Sequence, residues 1–540
     1  MQNTPVLIIG SGPVGLSMAL ALARQNIQSI VVERHPGTTN HPRARGVNVR
    51  TMELFRQWGN ATELLKYEQP KEARRIIWAQ SLQGEEVTRV TMDDSDTSRY
   101  SPVQASLVAQ DRVEESLYHS LLNYKETVAV QFLKEFISFE EDKMGITARI
   151  LNKKNNQEEF IRAQYLISAD GAHSRIRKQL GISMEGPDNL GQFCNIYCEI
   201  DISLWTKHRP CIAYSFVDPK LSGRFLASVD GANRWIIGLR FSKEDSKEIF
   251  TDEYCINEIK KLVGLPSLTV NIINKSFWTM AAQIASQYRK NRVFLAGDAA
   301  HRLPPTGGFG MNTGIQDAHN LAWKLAFVIN NNASDKLLNT YYEERAPVAE
   351  QNIKWSTENA KRYTEIYEAI HSGDMEKLKV KLHDQQKNLN YSGLDLGFIY
   401  HSSTINSEND QTLSVTPSEY LPTTLPGSRA PHVKLIKNDK IISTLDLFEK
   451  DFVLLIGSEG ESWRAVACEL AQTFSFPLKV YRVANDGDLI DPEHTWHESY
   501  NITTTGAVLV RPDGHVAWRS KSMVDKPKTV LEKCFGIILH

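Results

Sequence analysis

The sequence predicts an α/β chain. A layer of parallel strands is interleaved with a mostly antiparallel sheet, and a second, compact α/β module follows. Three observations predict it. The chain opens with a complete strand, glycine turn, helix and strand between residues 4 and 33. Residues 183–278 have little helical period and consist of alternating apolar runs separated by Asp-Gly and Ser-Gly turns. Beyond a polar stretch rich in Ser, Thr, Asn and Pro at 401–430, four apolar segments surround one helix.

The elements follow in order. TPVLIIG reads as a buried strand, LSMALALARQN as a helix with small packing residues, and SIVVERH as a second strand ending at Glu33. NVRTMELFRQWG and LVAQDRVEESLYHSLL read as amphipathic helices. VAVQFLKEFISFE, ITARIL and QYLISAD are strands, and CIAYSFVD, GRFLASVD and RWIIGLRF belong to the middle sheet. RVFLAGDAAH is a buried strand entering a Gly/Pro-rich loop. The helix GIQDAHNLAWKLAFVIN follows, and helical spacing continues to about residue 390. In the tail, DFVLLIG, LKVYRV, GAVLVRP and HVAWRS are strands around WRAVACELAQTF, and Pro512-Asp513-Gly514 turns the last two into a hairpin.

Composition removes several classes of function. The 62 basic and 64 acidic residues leave a net charge of −2, without the clustered basic excess that a nucleic-acid surface needs. No apolar run approaches the ~20 residues of a membrane span, and MQNTPVLIIG lacks the basic start of a signal peptide. None of the six cysteines forms a CxxC pair, which suits a reducing cytoplasm. Cys194 and Cys198 read as core thiols, His494 and His497 as surface residues of a polar loop, and no metal-ligand spacing occurs.

The chemistry is carried by three separated segments. Gly10, Gly12 and Gly15 form GxGxxG between strand and helix, with Pro13 and Val14 inside it. The first glycine permits the turn, the second admits a pyrophosphate, and the third lets helix and strand touch. Phosphate then meets the free N–H groups of the helix N-terminus. Glu33, with Arg34 beside it, ends the next strand where a carboxylate accepts ribose hydroxyls. Asp170-Gly171 ends a later strand, and Gly297-Asp298 ends another. Asp298 can accept hydrogen bonds from ribityl hydroxyls. The loop Leu303 to Asn312 can approach a flat ring through its glycines. Free N–H groups at Gly310, Met311 and Asn312 can stabilise negative charge on a reduced flavin.

At these residues the chain resembles the single-component, FAD-dependent aromatic hydroxylases (class A flavoprotein monooxygenases). It looks most like the phenol hydroxylase and aromatic polyketide hydroxylase branch. The likeness rests on the glycine segment, HPRARGVNVRTMELFRQWG at 41–59, Asp170-Gly171, and the stretch from Gly297 to Lys324, and spans roughly residues 4–390. It implies a Rossmann-like FAD-binding domain of the glutathione-reductase type at 1–75, 106–182 and 279–400. A substrate-binding β-sheet domain would occupy 76–105 and 183–278, and a linker 401–430. A thioredoxin-like domain would occupy 431–540. SEGESW stands where a redox thioredoxin carries CxxC, so that last domain is expected to be redox-inactive and structural, with homodimer contacts as a further role.

The resemblance also implies the activity. FAD is reduced by NADPH or NADH visiting transiently, reacts with O2 to a C4a-hydroperoxide, and hydroxylates a phenolic or polyketide-like aromatic molecule. No side-chain nucleophile is needed. The likeness assigns Gln110 and Arg45 to contacts with the flavin or its pyrophosphate, Arg43 to a mobile basic loop, and Pro305 and Gly308 to the frame around flavin and substrate. Aromatics of the middle sheet, Tyr214, Phe225 and Trp235, are candidates for the substrate pocket. Neither nucleic acid nor stable membrane insertion is expected. A same-fold reductase and a non-catalytic FAD-holding protein are the competing readings, separated by whether NAD(P)H bleaches the flavin.

Overall fold

The computed structural model describes residues 1–92, 97–242, 245–386, 390–405 and 416–539. Its first sheet is built on the strand Gln2–Ile9, whose apolar run is buried on both faces, as parallel strands covered by helices require. Ser29–Glu33 and Gln157–Ser168 flank it in parallel, with Val128–Phe132 and Val293–Leu295 outside them. Register brings Ile9 level with Val32 and Ser168, and Leu295 level with Ser168. The turns that follow these strands therefore open on one edge, the carboxyl edge where ligands of such sheets bind.

The helices Pro13–Arg24 and Phe309–Ile329 pack together above that edge. Their approach depends on glycine. A Cβ on Gly15 would lie 1.9 Å from the Gly10 carbonyl oxygen, and one on Gly314 would lie 2.5 Å from Val14 Cγ2. Segments almost three hundred residues apart in sequence are thus in direct contact.

The second sheet has seven strands. Their spatial order is Asn271–Met280, Gly191–Glu199, Arg234–Phe241, Arg224–Ser228, Ala213–Phe216, Arg75–Ala79 and Glu86–Thr91. All pairs are antiparallel except Ala213–Phe216 with Arg75–Ala79. One face buries Tyr214, Trp235, Ile237 and Leu239 against Ile259 and Leu262 of a helix, Asp252–Val263. That helix departs from the expectation of a nearly helix-free middle region. Its signals are local: the Thr251 hydroxyl accepts from Tyr254 N, acidic residues fill the first turn, and Gly264 closes it in the left-handed conformation.

The C-terminal module has the strand order Leu478–Arg482, Phe452–Ile456, Ala507–Val510, Val516–Ser520. Helices Glu461–Thr473 and Pro527–Leu539 pack on one face. Pro512-Asp513-Gly514 makes the expected turn, with Gly514 at φ +78°. Two expectations are corrected here. The stretch around His494 and His497 is not a bare polar loop, because Trp496–Tyr500 is a short helix that buries Trp496. In the 401–430 stretch, expected to be a linker, residues 406–415 lie outside the described residues. The part from 416 is a packed seam in which Tyr420, Leu425, Ser428, Arg429 and Ala430 are buried.

Candidate active site

The carboxyl edge of the first sheet and one face of the second enclose a single cleft of about 1620 Å³. That exceeds the roughly 300–1,000 Å³ of an ordinary small-molecule site. Gly10, Ser11, Gly12, Pro13, Val14, Glu33 and Arg34 line one end. Asp298, Pro305, Gly308, Gly310 and Met311 line the middle, and Phe193, Asn195, Ser215, Phe225, Arg240 and Trp278 line the sheet face.

At the glycine turn, Gly10 sits at φ +106°, a conformation open to glycine. A Cβ on Gly12 would meet nothing within 4 Å, so the turn presents bare backbone to the cleft. Glu33 Oε2 accepts from Ser11 N at 2.9 Å, and Oε1 accepts from His35 N at 2.9 Å. The carboxylate is thereby fixed beside the turn. Asp170 accepts from Arg175 N at 2.9 Å and from the Ser168 hydroxyl, which makes it a link between strand and helix at the cleft margin. The Asp298 carboxylate is exposed in the cleft and makes no hydrogen bond among the described residues.

The loop after Asp298 turns through Gly307 at φ +121° and Gly308 at φ +73°. The Thr306 hydroxyl donates to the Ser356 carbonyl at 2.6 Å, tying the loop to helix Thr340–Ser372. The helix Phe309–Ile329 begins earlier than the sequence suggested, so Gly310 and Met311 lie in its first turn. Asn312 is not on the cleft surface. Its Oδ1 accepts from Asn48 N at 3.1 Å, and its Nδ2 donates to the carbonyls of Gly308 (2.8 Å) and Gly46 (3.1 Å). It binds two cleft walls together. Gly15 is also set back, where it lets helix meet strand.

Gln110 lines the cleft, but its amide is engaged. Oε1 accepts from Arg43 N and Ala44 N, each at 3.1 Å, and Nε2 donates to Glu114 Oε1 at 2.8 Å. Glu114 Oε2 accepts from Thr39 N at 2.7 Å. This Gln–Glu pair on one helix face holds the basic loop in place. Arg43 is exposed. Arg45 is half-buried in the cleft wall without a hydrogen bond or ion pair among the described residues. Burial lowers its guanidinium to about 10, opposed by the Cys211 thiol just before strand Ala213–Phe216.

Of the three aromatics expected in the substrate pocket, only Phe225 lines the cleft. Tyr214 and Trp235 are corrected to the opposite face, since strand alternation sends Ala213, Ser215 and Ile236 inward and these two into the core. Sequence reading missed Phe193, Trp278, Tyr363, Tyr367, Tyr391 and Glu114 on the cleft walls. Glu114 was findable, being four residues after Gln110 on a helix. The aromatics gave no local signal.

The residues present fit an adenine dinucleotide bearing a flat ring. Bare glycine backbone and a fixed carboxylate stand at one end of a continuous cleft. A free carboxylate and a second glycine-lined backbone stand further along. Among the described residues no group of His, Cys, Asp and Glu could hold a metal ion, and no helix is long and apolar enough to cross a membrane.

Comparison with known proteins agrees. Residues 3–356 match the FAD binding domain family, and residues 423–537 match the aromatic-ring hydroxylase C-terminal family. The chain is 34% identical over 569 residues to tetracenomycin A2 monooxygenase-dioxygenase of Streptomyces glaucescens, covering 100% of this chain and 97% of that one. Among solved structures, the flavin-dependent monooxygenase PieE in complex with FAD and substrate superposes with a TM-score of 0.92 at 30% identity, covering 99% of both chains. A ternary complex of aklavinone-11 hydroxylase with FAD and aklavinone gives 0.87 at 32%, covering 100% of this chain and 99% of that one. The chain belongs to the FAD-dependent aromatic-ring hydroxylases, and is an FAD-dependent aromatic monooxygenase that draws on NAD(P)H and O2.

Proposed function

We propose that the substrate is a phenolic aromatic compound of several fused rings, hydroxylated in the part of the cleft between the 305–308 loop and the antiparallel sheet. One observation carries this reading: the cleft runs without interruption past that loop onto a sheet face walled by Phe193, Phe225, Trp278, Tyr363 and Tyr367. Flat apolar walls of this kind favour flat ligands, since aromatic contact adds to area burial.

In this reading Gly10, Gly12 and the N–H groups behind Pro13 and Val14 hold the pyrophosphate of FAD, with Gly15 letting the helix approach. Glu33 takes ribose hydroxyls with Arg34 beside it, and Asp298 takes ribityl hydroxyls. Pro305, Gly308, Gly310 and Met311 frame the ring, and Asn312 fixes that frame from behind. Gln110 acts through the basic loop it anchors, and Arg45 lies closer to the substrate sheet than the resemblance implied. FAD, when bound, supplies the redox chemistry that joins NAD(P)H oxidation to O2 activation. The protein's part is to orient the substrate ring and keep water from it. Balanced charge and cysteines not joined in disulfides support action in the cytoplasm on a diffusing small molecule.

The test uses the holoenzyme with NADH or NADPH and phenols of one to four rings. Multi-ring phenols should accelerate cofactor oxidation and yield products one oxygen atom heavier by mass spectrometry. Turnover of single-ring phenols with exclusion of the larger ones would overturn the reading.

A further inference from the structure

The strand Arg234–Phe241 belongs to the sheet that walls the cleft and contributes Ile236 and Arg240 to it. At its start, Arg234 is bonded to Asp111 of helix Gln110–Leu121 at 2.8 Å and to the Tyr197 hydroxyl at 3.1 Å. Six residues later, about 20 Å away at ~3.3 Å per residue, the exposed Arg240 lines the cleft. Its side chain makes no hydrogen bond, ion pair or ring contact among the described residues.

Two glycines lie beside it. A Cβ on Gly191 would stand 3.7 Å from Arg240 Nε, and one on Gly223 would stand 3.9 Å from Arg240 Cβ. Phe193, directly across the strands from Arg240, stacks on Trp278 with ring centres 4.8 Å apart and planes at 17°. The opposite wall brings Tyr367, whose phenol burial pushes up to about 12 while the charge of Arg240 pulls it down. Tyr367 is eleven residues along its helix from Ser356, the residue that anchors the 305–308 loop. At ~1.5 Å per residue that is about 16 Å. The helix distance therefore sets Tyr367, and Arg240 across from it, apart from the ring-framing loop.

The geometry points to Arg240 as the residue that selects an aromatic acid: a substrate bearing a carboxylate at the end remote from the ring that reacts. This rests on the aromatic-hydroxylase reading above and adds the charged group. A guanidinium presents a planar fork of donors that matches a carboxylate with two parallel hydrogen bonds. The Tyr367 hydroxyl is a further donor at the same end. A neutral polycycle offers the guanidinium no acceptor and leaves it to water, whereas an acid satisfies it and orients the far ring toward the loop.

The experiment titrates anthraquinone-2-carboxylate and its neutral carboxamide into the FAD-loaded enzyme, following the flavin absorbance. The parent should bind the acid about tenfold or more tightly than the amide, as expected for a charge-assisted pair. Arg240→Met should bind both alike, with amide affinity within about twofold of the parent. Arg240→Lys should keep part of the preference. If Arg240→Met fails to hold FAD, Arg240→Gln serves in its place. Equal binding of acid and amide by the parent, failure of the acid to bind, or an acid preference that survives removal of the guanidinium would overturn the proposal. An enzyme that prefers the acid yet hydroxylates no ring would sink the function and spare the anchor. One that hydroxylates neutral polycycles with no acid preference would do the reverse.

Discussion

Glu114 shows how one buried carboxylate can organise a working loop. Its two oxygens accept from Thr39 N and Gln110 Nε2, and it is almost wholly buried. Burial, aided by the nearby Glu33 charge, raises its carboxyl to about 7, against the lowering effect of its hydrogen bonds and Arg43. A carboxyl raised in the fold binds a proton the unfolded chain has lost. Its contribution to stability is therefore full below the ordinary Glu range and disappears as pH rises through about 7. Asp395, raised to about 7 by burial and Glu53, has the same sign. Thermal melts should thus fall between about pH 5 and 8, and Glu114→Gln should flatten that slope. An unchanged slope would assign the fall elsewhere. At the cleft floor, Asp298→Ala should give largely colourless protein, read as FAD content per chain. Gly15→Ala should do so too, because a Cβ 1.9 Å from the Gly10 carbonyl must push the helix off the strand.

Among elements, the loop at 39–46 is held at several points. Gln110 accepts two of its N–H groups, Glu114 accepts a third, and His41 bonds Asn274 of the antiparallel sheet. The loop therefore bridges helix Gln110–Leu121 and the antiparallel sheet. Gln110→Ala removes the one oxygen that accepts both bonds. Hydrogen exchange of residues 39–46 should speed up markedly, while FAD content falls less than in Asp298→Ala. Equal protection in both proteins would show that the loop is held by something else. The same scale explains an element the sequence reading passed over. Asp252–Val263 carries a hydroxyl cap and a glycine stop, but it interrupts a region of strong alternation and was absorbed into it.

Over the whole molecule, the C-terminal module clamps the helix that frames the site. Arg511 bonds Glu344 through both oxygens (2.6 and 2.8 Å) and Asp513 through Nε at 3.0 Å. Lys324 reaches Glu344 at 2.8 Å, and Trp323 Nε1 donates to Asp513 at 3.2 Å. A second buried cluster joins Arg429 and Arg50 to Glu53. These charges lie in the interior, so removing one partner strands the others. Arg511→Leu should cost about 3–5 kcal/mol of stability, measured by denaturant unfolding, and should lower FAD retention because Lys324 and Trp323 lie on the Phe309–Ile329 helix. A loss under about 1 kcal/mol would mean the seam is only surface-like. The tail is thus bonded through buried groups to the helices Phe309–Ile329 and Thr340–Ser372.

Local rules made the glycine turn, Glu33, Asp298, the 303–312 loop and the strand-rich middle legible in the sequence, because each is dictated by backbone conformation or by period within a few residues. Which face of a strand meets the cleft is a different kind of fact. Tyr214 sits between Ala213 and Ser215 and Phe225 between Arg224 and Leu226, and only the packing of helix Asp252–Val263 on one face assigns Tyr214 to the core and leaves Phe225 to the site. The placement of Gln110, Glu114 and Arg240 was likewise decided by tertiary structure. Their partners, or their lack of partners, come from segments distant in the chain, and burial and electrostatics depend on distance in space.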